Sequence, residues 1–98
     1  MSTAQAVRDR NAEEIQRRKL GFRAWHRGTR EADLLIGGFA DRHLAGFDGE
    51  ELGQFERLLT ESDPDIYEWM TGQTPVPACH DNRVTALLRQ FRLVSKAP

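Results

Sequence analysis

Apolar residues return every three or four positions along most of the chain, and β-branched residues nowhere cluster in an alternating stretch. That pattern predicts helices and no strands. Residues 1–11 are polar and carry no cap, so residues 1–12 are expected to form a flexible N-terminal tail. The first helix is expected through AEEIQRRKLGFRAWHR and stops at Gly28, which can adopt the left-handed conformation that closes a helix. Thr29 can cap a second helix, with Glu31 and Asp33 in its first turn at the positive end of the dipole. Ala32, Leu35, Ile36, Phe39, Ala40 and His43 then share one face. Gly37 and Gly38 interrupt that helix. Each weakens it by roughly 1 kcal/mol relative to alanine, which points to a close helix crossing rather than to stability.

Asp48 and Glu51 have capping-box spacing before a third helix that turns Leu52, Phe55, Leu58 and Leu59 inward. In ESDPDIYEWM, Asp63 is expected to cap a short fourth helix, Pro64 to take its first position, and Ile66, Trp69 and Met70 to face the core. GQTPVPACHD reads as a rigid loop. A last helix from about Asp81 places Val84, Leu87, Leu88 and Phe91 on one stripe. The expectation is an all-α fold, a compact five-helix bundle with short connections, with one helical domain over residues 13–94 and a C-terminal tail over 95–98.

Length and composition narrow the function classes. Ninety-eight residues support one core but not a cofactor domain beside a substrate domain. No apolar run approaches the roughly 20 residues of a membrane-spanning helix, and the N-terminus lacks the apolar middle of a secretory signal. A cytoplasmic address is expected. The single cysteine, Cys79, excludes an internal disulfide and reads as a partly buried loop residue. His26, His43 and His80 show no ligand spacing, so no metal is expected.

Charge is segregated behind a net charge of −1. Residues 8–30 carry eight Arg or Lys against three acids, and residues 31–72 carry eleven acids against two Arg. Such blocks either attract one another within the fold or present opposite potentials to a protein partner.

Enzyme signatures are missing: there is no phosphate loop after a strand, no nucleophile elbow and no HExxH, and the paired carboxylates are explained by helix starts. No catalytic residue is assigned. RRKLGFRAWHRGTR has the basic and aromatic mixture of a nucleic-acid binder, yet Glu31 and Asp33 open the next helix and the acidic block would repel phosphate. A small nucleic-acid-binding protein therefore stays as the alternative. The corner RGTRE, residues 27–31, supports protein recognition: Gly28 leaves room for an approaching backbone, and the arginine forks suit carboxylates. A plainer possibility is that Arg27 caps its own helix while Glu31 pairs with Arg27 or Arg30.

RGTRE resembles the RGxxE motif of the small assembly factors that promote covalent flavin attachment to the flavoprotein subunit of succinate dehydrogenase. DPDIYEW, residues 63–69, is similar to that family's second feature, and the resemblance covers roughly residues 15–93. It implies a chaperone-like protein with no cofactor of its own, acting on FAD bound by the partner, where a histidine becomes joined to the flavin's 8α-methyl carbon. The implied partner is the flavoprotein subunit of succinate dehydrogenase, with that of fumarate reductase as a second candidate. No nucleic acid and no membrane insertion are implied, and the free protein is expected to be a monomer. By carry-over, Arg27, Gly28, Arg30 and Glu31 form the contact surface, joined by Asp65 and Tyr67 as the surface candidates of the second stretch. The family has also been labelled with an antitoxin role, a second alternative.

Overall fold

The computed structural model describes residues 3–94, with side chains from residue 8 onward. Five α-helices follow in order: α1 (Thr3–Trp25), α2 (Arg30–His43), α3 (Gly49–Leu58), α4 (Asp63–Thr71) and α5 (Arg83–Val94). Single 3-10 turns at Leu44–Gly46 and Ala78–His80 bridge α2 to α3 and α4 to α5. The described residues contain no strand. The first two residues of the expected N-terminal tail and the whole expected C-terminal tail, residues 95–98, lie outside the described residues.

α1 begins at Thr3, well before the position expected near residue 12, and it ends at Trp25 rather than at Gly28. Residues 8–12 are exposed, so packing does not hold this part of the helix. Ala, Gln and Arg are strong helix formers, and extending an existing helix needs no new nucleus. At the other end, His26 N–H bonds to the Arg23 carbonyl in a tightened last turn. Gly28 stands beyond it at φ 114°, a conformation that an L side chain rarely takes.

The remaining starts follow local chemistry. Thr29 Oγ1 accepts the Ala32 N–H at 3.2 Å, capping α2. Asp48 and Glu51 form a reciprocal capping box on α3, at 2.9 and 3.1 Å. α4 is capped by Ser62, whose Oγ accepts the Asp65 N–H, so Asp63 is its first residue and Pro64 its second. This corrects the assignment of the cap to Asp63; Ser62 wins because its extended backbone aims the hydroxyl at the free N–H groups. Gly72, left-handed at φ 78°, closes α4. α5 starts at Arg83, with the Asn82 side chain accepting the Thr85 N–H.

One core unites all five helices. Leu20 and Ala24 of α1, Ile36 and Phe39 of α2, Leu52, Phe55 and Leu58 of α3, Ile66 and Met70 of α4, and Val84 and Leu88 of α5 are buried. Leu87 and Phe91, expected on the α5 stripe, are partly buried against this core. The glycine pair accounts for the closeness of α1 to α2. A Cβ on Gly37 would lie 2.3 Å from Cδ2 of Trp25, so the indole rests directly on the helix backbone, with Nε1 donating to Asp41 at 3.0 Å. Gly38 faces Phe91 of α5.

Candidate functional site

The α1–α2 corner is built from inside outward. Asp33, in the first turn of α2, accepts the backbone N–H of Arg27 at 2.7 Å and that of Gly28 at 3.4 Å. Those donors project past the end of α1, and the carboxylate also sits favourably at the α2 N-terminus. Arg27 turns back into the fold. Its Nε donates to Asp63 at 2.8 Å, and its two terminal nitrogens donate at 2.6 Å to the carbonyls of Leu59 and Glu61. Leu59 is the C-cap of α3, so the guanidinium also meets the negative end of that helix.

The expectation that Arg27 is a surface residue is thus corrected: its side chain is 11% exposed and its donors are occupied. Nor does it cap its own helix or pair with Glu31; the carbonyls left open at the α3–α4 connection claim it instead. His80 meets the same connection from another side, with Nε2 2.6 Å from Glu61 Oε2 and the ring against Trp69. Cys79 beside it is exposed, not partly buried, because the 3-10 turn directs His80 inward in its place.

Gly28, Arg30 and Glu31 face outward. No atom lies within 4 Å of where a Gly28 Cβ would stand. Arg30 and Glu31 are exposed, and neither side chain forms a hydrogen bond or ion pair among the described residues. The second motif meets the first through the Arg27–Asp63 bond. Tyr67 of α4 is half-buried, and burial pushes its phenol above the ordinary value; the carboxylates of Asp63 and Glu31 add to this, while Arg92 opposes it. Tyr67 therefore shares a local field with the corner. Asp65 is exposed on the first turn of α4. Ile66 and Trp69 fill the core, as the helical spacing predicts.

Three residues of this region were not assigned to it from sequence. Asp33 read only as a first-turn acid, although it holds the corner's backbone. Phe22 and Leu34 are exposed apolar residues, and an open depression at the corner is lined by Trp25, His26, Gly28, Arg30 and Leu34. Spacing leaves Leu34 off the core stripe of α2, but nothing in the sequence marks Phe22 as exposed rather than core.

Among the described residues no group of His, Cys, Asp or Glu is arranged to hold a metal ion, and no helix is long and apolar enough to cross a membrane. The arrangement is a small all-helical protein with a closely bonded corner, where exposed Arg30 and Glu31 stand beside a glycine with open space around it. Residues 18–92 match the family described as flavinator of succinate dehydrogenase, and the chain belongs to that family. It is 39% identical over 90 residues to the FAD assembly factor SdhE of Acetobacter pasteurianus, an alignment covering 92% of this chain and 79% of that protein. It is 43% identical over 67 residues to the mitochondrial succinate dehydrogenase assembly factor 2 of Debaryomyces hansenii, covering 65% of this chain and 47% of the relative. The corresponding Mycosarcoma maydis protein is 42% identical over 71 residues, covering 72% and 30%. The chain thus spans less than half of these two fungal proteins.

Proposed function

We propose that this protein binds the flavoprotein subunit of succinate dehydrogenase in the cytoplasm, as a monomer, and favours covalent attachment of FAD to that subunit. The observation that carries this reading is exposed Arg30 and Glu31, without hydrogen-bond or ion-pair partners among the described residues, beside the corner that Arg27 and Asp33 hold together, in a chain of the flavinator family. Bond formation is the work of the flavin and the subunit's own histidine; a helper contributes by stabilising the subunit conformation in which the two are aligned. Gly28 would admit the partner's backbone, Arg30 and Glu31 would pair with its charges, and Tyr67 and Asp65 would extend the contact along α4. Arg27 is a positioning residue, since its donors are already occupied. Fixing this surface before the encounter lowers the entropy lost on binding.

In-gel flavin fluorescence after denaturing electrophoresis tests this, using purified apo flavoprotein subunit and FAD with wild type, Gly28→Arg or Arg30→Ala. Faster covalent labelling with wild type, lost in the folded variants, is the expected result. Equal labelling with and without the protein would sink the proposal. Repeating the assay with the fumarate reductase subunit determines whether that flavoprotein is also served.

A further inference from the structure

Among the described residues, the outer face of α1 is left exposed. Ile15, Lys19, Phe22 and His26 follow one another at helical spacing and share the face opposite the buried Leu20 and Ala24. Ile15 is 52% exposed and Phe22 64%, and Leu34 of neighbouring α2 is 55% exposed. Large apolar side chains grouped in this way mark contact surfaces. Phe22 is also held in place. Its ring stacks on His26 at a centroid separation of 3.8 Å and an interplanar angle of 16°, and His26 Nδ1 donates to the Phe22 carbonyl at 2.6 Å. A ring fixed before binding loses little freedom on being covered.

Two features define the occupant. The depression beside Leu34 runs into Gly28 and Arg30, so the apolar face is continuous with the corner assigned above to docking. The free charges around it are mostly cationic: Arg18, Lys19 and Arg30 are exposed and form no ion pair among the described residues, Asp33 is engaged by backbone N–H groups, and Glu31 is the one acid of the corner in the same state as Arg30. Exposed Glu31 at the same edge opposes an anionic lipid surface.

We infer that Phe22, Leu34 and the cations beside them form a second half of the docking surface, engaging a segment of the same flavoprotein subunit that presents apolar side chains flanked by carboxylates. This inference rests on the proposed function. RGTRE then supplies one edge of the interface and the outer face of α1 its apolar centre, in keeping with interfaces whose apolar anchors are ringed by polar contacts.

The test measures the affinity of the full chain for the apo flavoprotein subunit by biolayer interferometry, with circular dichroism to check that each variant is folded. Phe22→Ser combined with Leu34→Ser should weaken binding at least about tenfold, the conservative pair Phe22→Tyr and Leu34→Met should retain it, and Lys19→Glu should weaken it most at low salt. Undiminished binding by the serine pair, with Arg30→Ala weakened, would overturn this inference and leave the corner reading intact. Failure of wild type to bind the subunit would overturn both. Self-association in sedimentation, or pelleting with phosphatidylglycerol vesicles, abolished by the serine pair while subunit binding persists, would assign the face to a second copy or to lipid and overturn the inference as well.

Discussion

Arg27 and Arg30 stand three residues apart in one motif, and Gly28 and Gly37 flank the same corner, yet the members of each pair have opposite surroundings. Arg27 satisfies three acceptors inside the fold, and Arg30 satisfies none among the described residues. Gly37 lies beneath the Trp25 ring, and Gly28 has open space around it. The inward pair makes the corner rigid, while the outward pair is free to meet something else. Residues of the same type a few positions apart can thus be committed to the fold or left exposed, and, on the proposed function, substitution should separate them by whether stability or docking is lost.

The largest expected effect is on the inward arginine. Arg27→Met should cost about 3 kcal/mol in urea unfolding, because it strands two partly buried carbonyls and leaves the largely buried Asp63 carboxylate without its cation. Arg27→Lys should recover little, since one ammonium cannot reproduce the three-way fork. A fully stable Arg27→Met protein would erase the distinction between the arginines. Next, Gly37→Ala should cost roughly 1–3 kcal/mol through overpacking against Trp25, despite alanine's better helix propensity. Gly28→Ala meets no atom, and its cost of at least about 1 kcal/mol comes from the positive φ alone. An unfolding series in which Gly28→Ala is the worse of the two would invert the comparison. Arg30→Ala should shift stability by no more than about 0.5 kcal/mol, while reducing covalent flavin labelling of the subunit about tenfold.

The smallest effect sets the pH at which these melts are compared. Burial pushes the His43 imidazole below its ordinary value, and Arg42 and Arg83 add to this. The unfolded chain then binds the proton more readily than the folded one. The stability His43 contributes is present above its unfolded pKa of 6.5 and is lost as pH falls through the lower folded value. His43→Asn should therefore flatten part of the decline in melting temperature below pH 6.5, relative to wild type; parallel curves would count against it.

Local chemistry was readable wherever a single residue decides the outcome. The Thr29 cap, the Asp48–Glu51 box and the inward stripes of α3 and α4 follow from spacing alone, and the Gly37–Gly38 pair announced a close crossing without naming Trp25 as its occupant. At Ser62–Asp63 two good caps compete, and only the backbone angle decides between them. The start of α1 was not legible because residues 8–12 are exposed and give no buried face to generate a period. The role of Arg27 was unreadable for a different reason: its acceptors lie 32 to 36 residues away, and two of them are carbonyls that carry no side-chain signature. Exposed Phe22 looks in sequence like any core aromatic.

The reach of Arg27 also limits how far its motif can be transplanted. A synthetic peptide carrying α1, the corner and α2 would contain every letter of RGTRE but not Leu59, Glu61 or Asp63, the groups that hold its first arginine. Such a peptide should be a poor competitor of the intact protein, and grafting the five residues onto another helical hairpin should transfer little. If the corner docks as proposed, recognition would belong to the closed chain rather than to the motif, and an inhibitor of that contact would have to copy the whole fold rather than the hairpin.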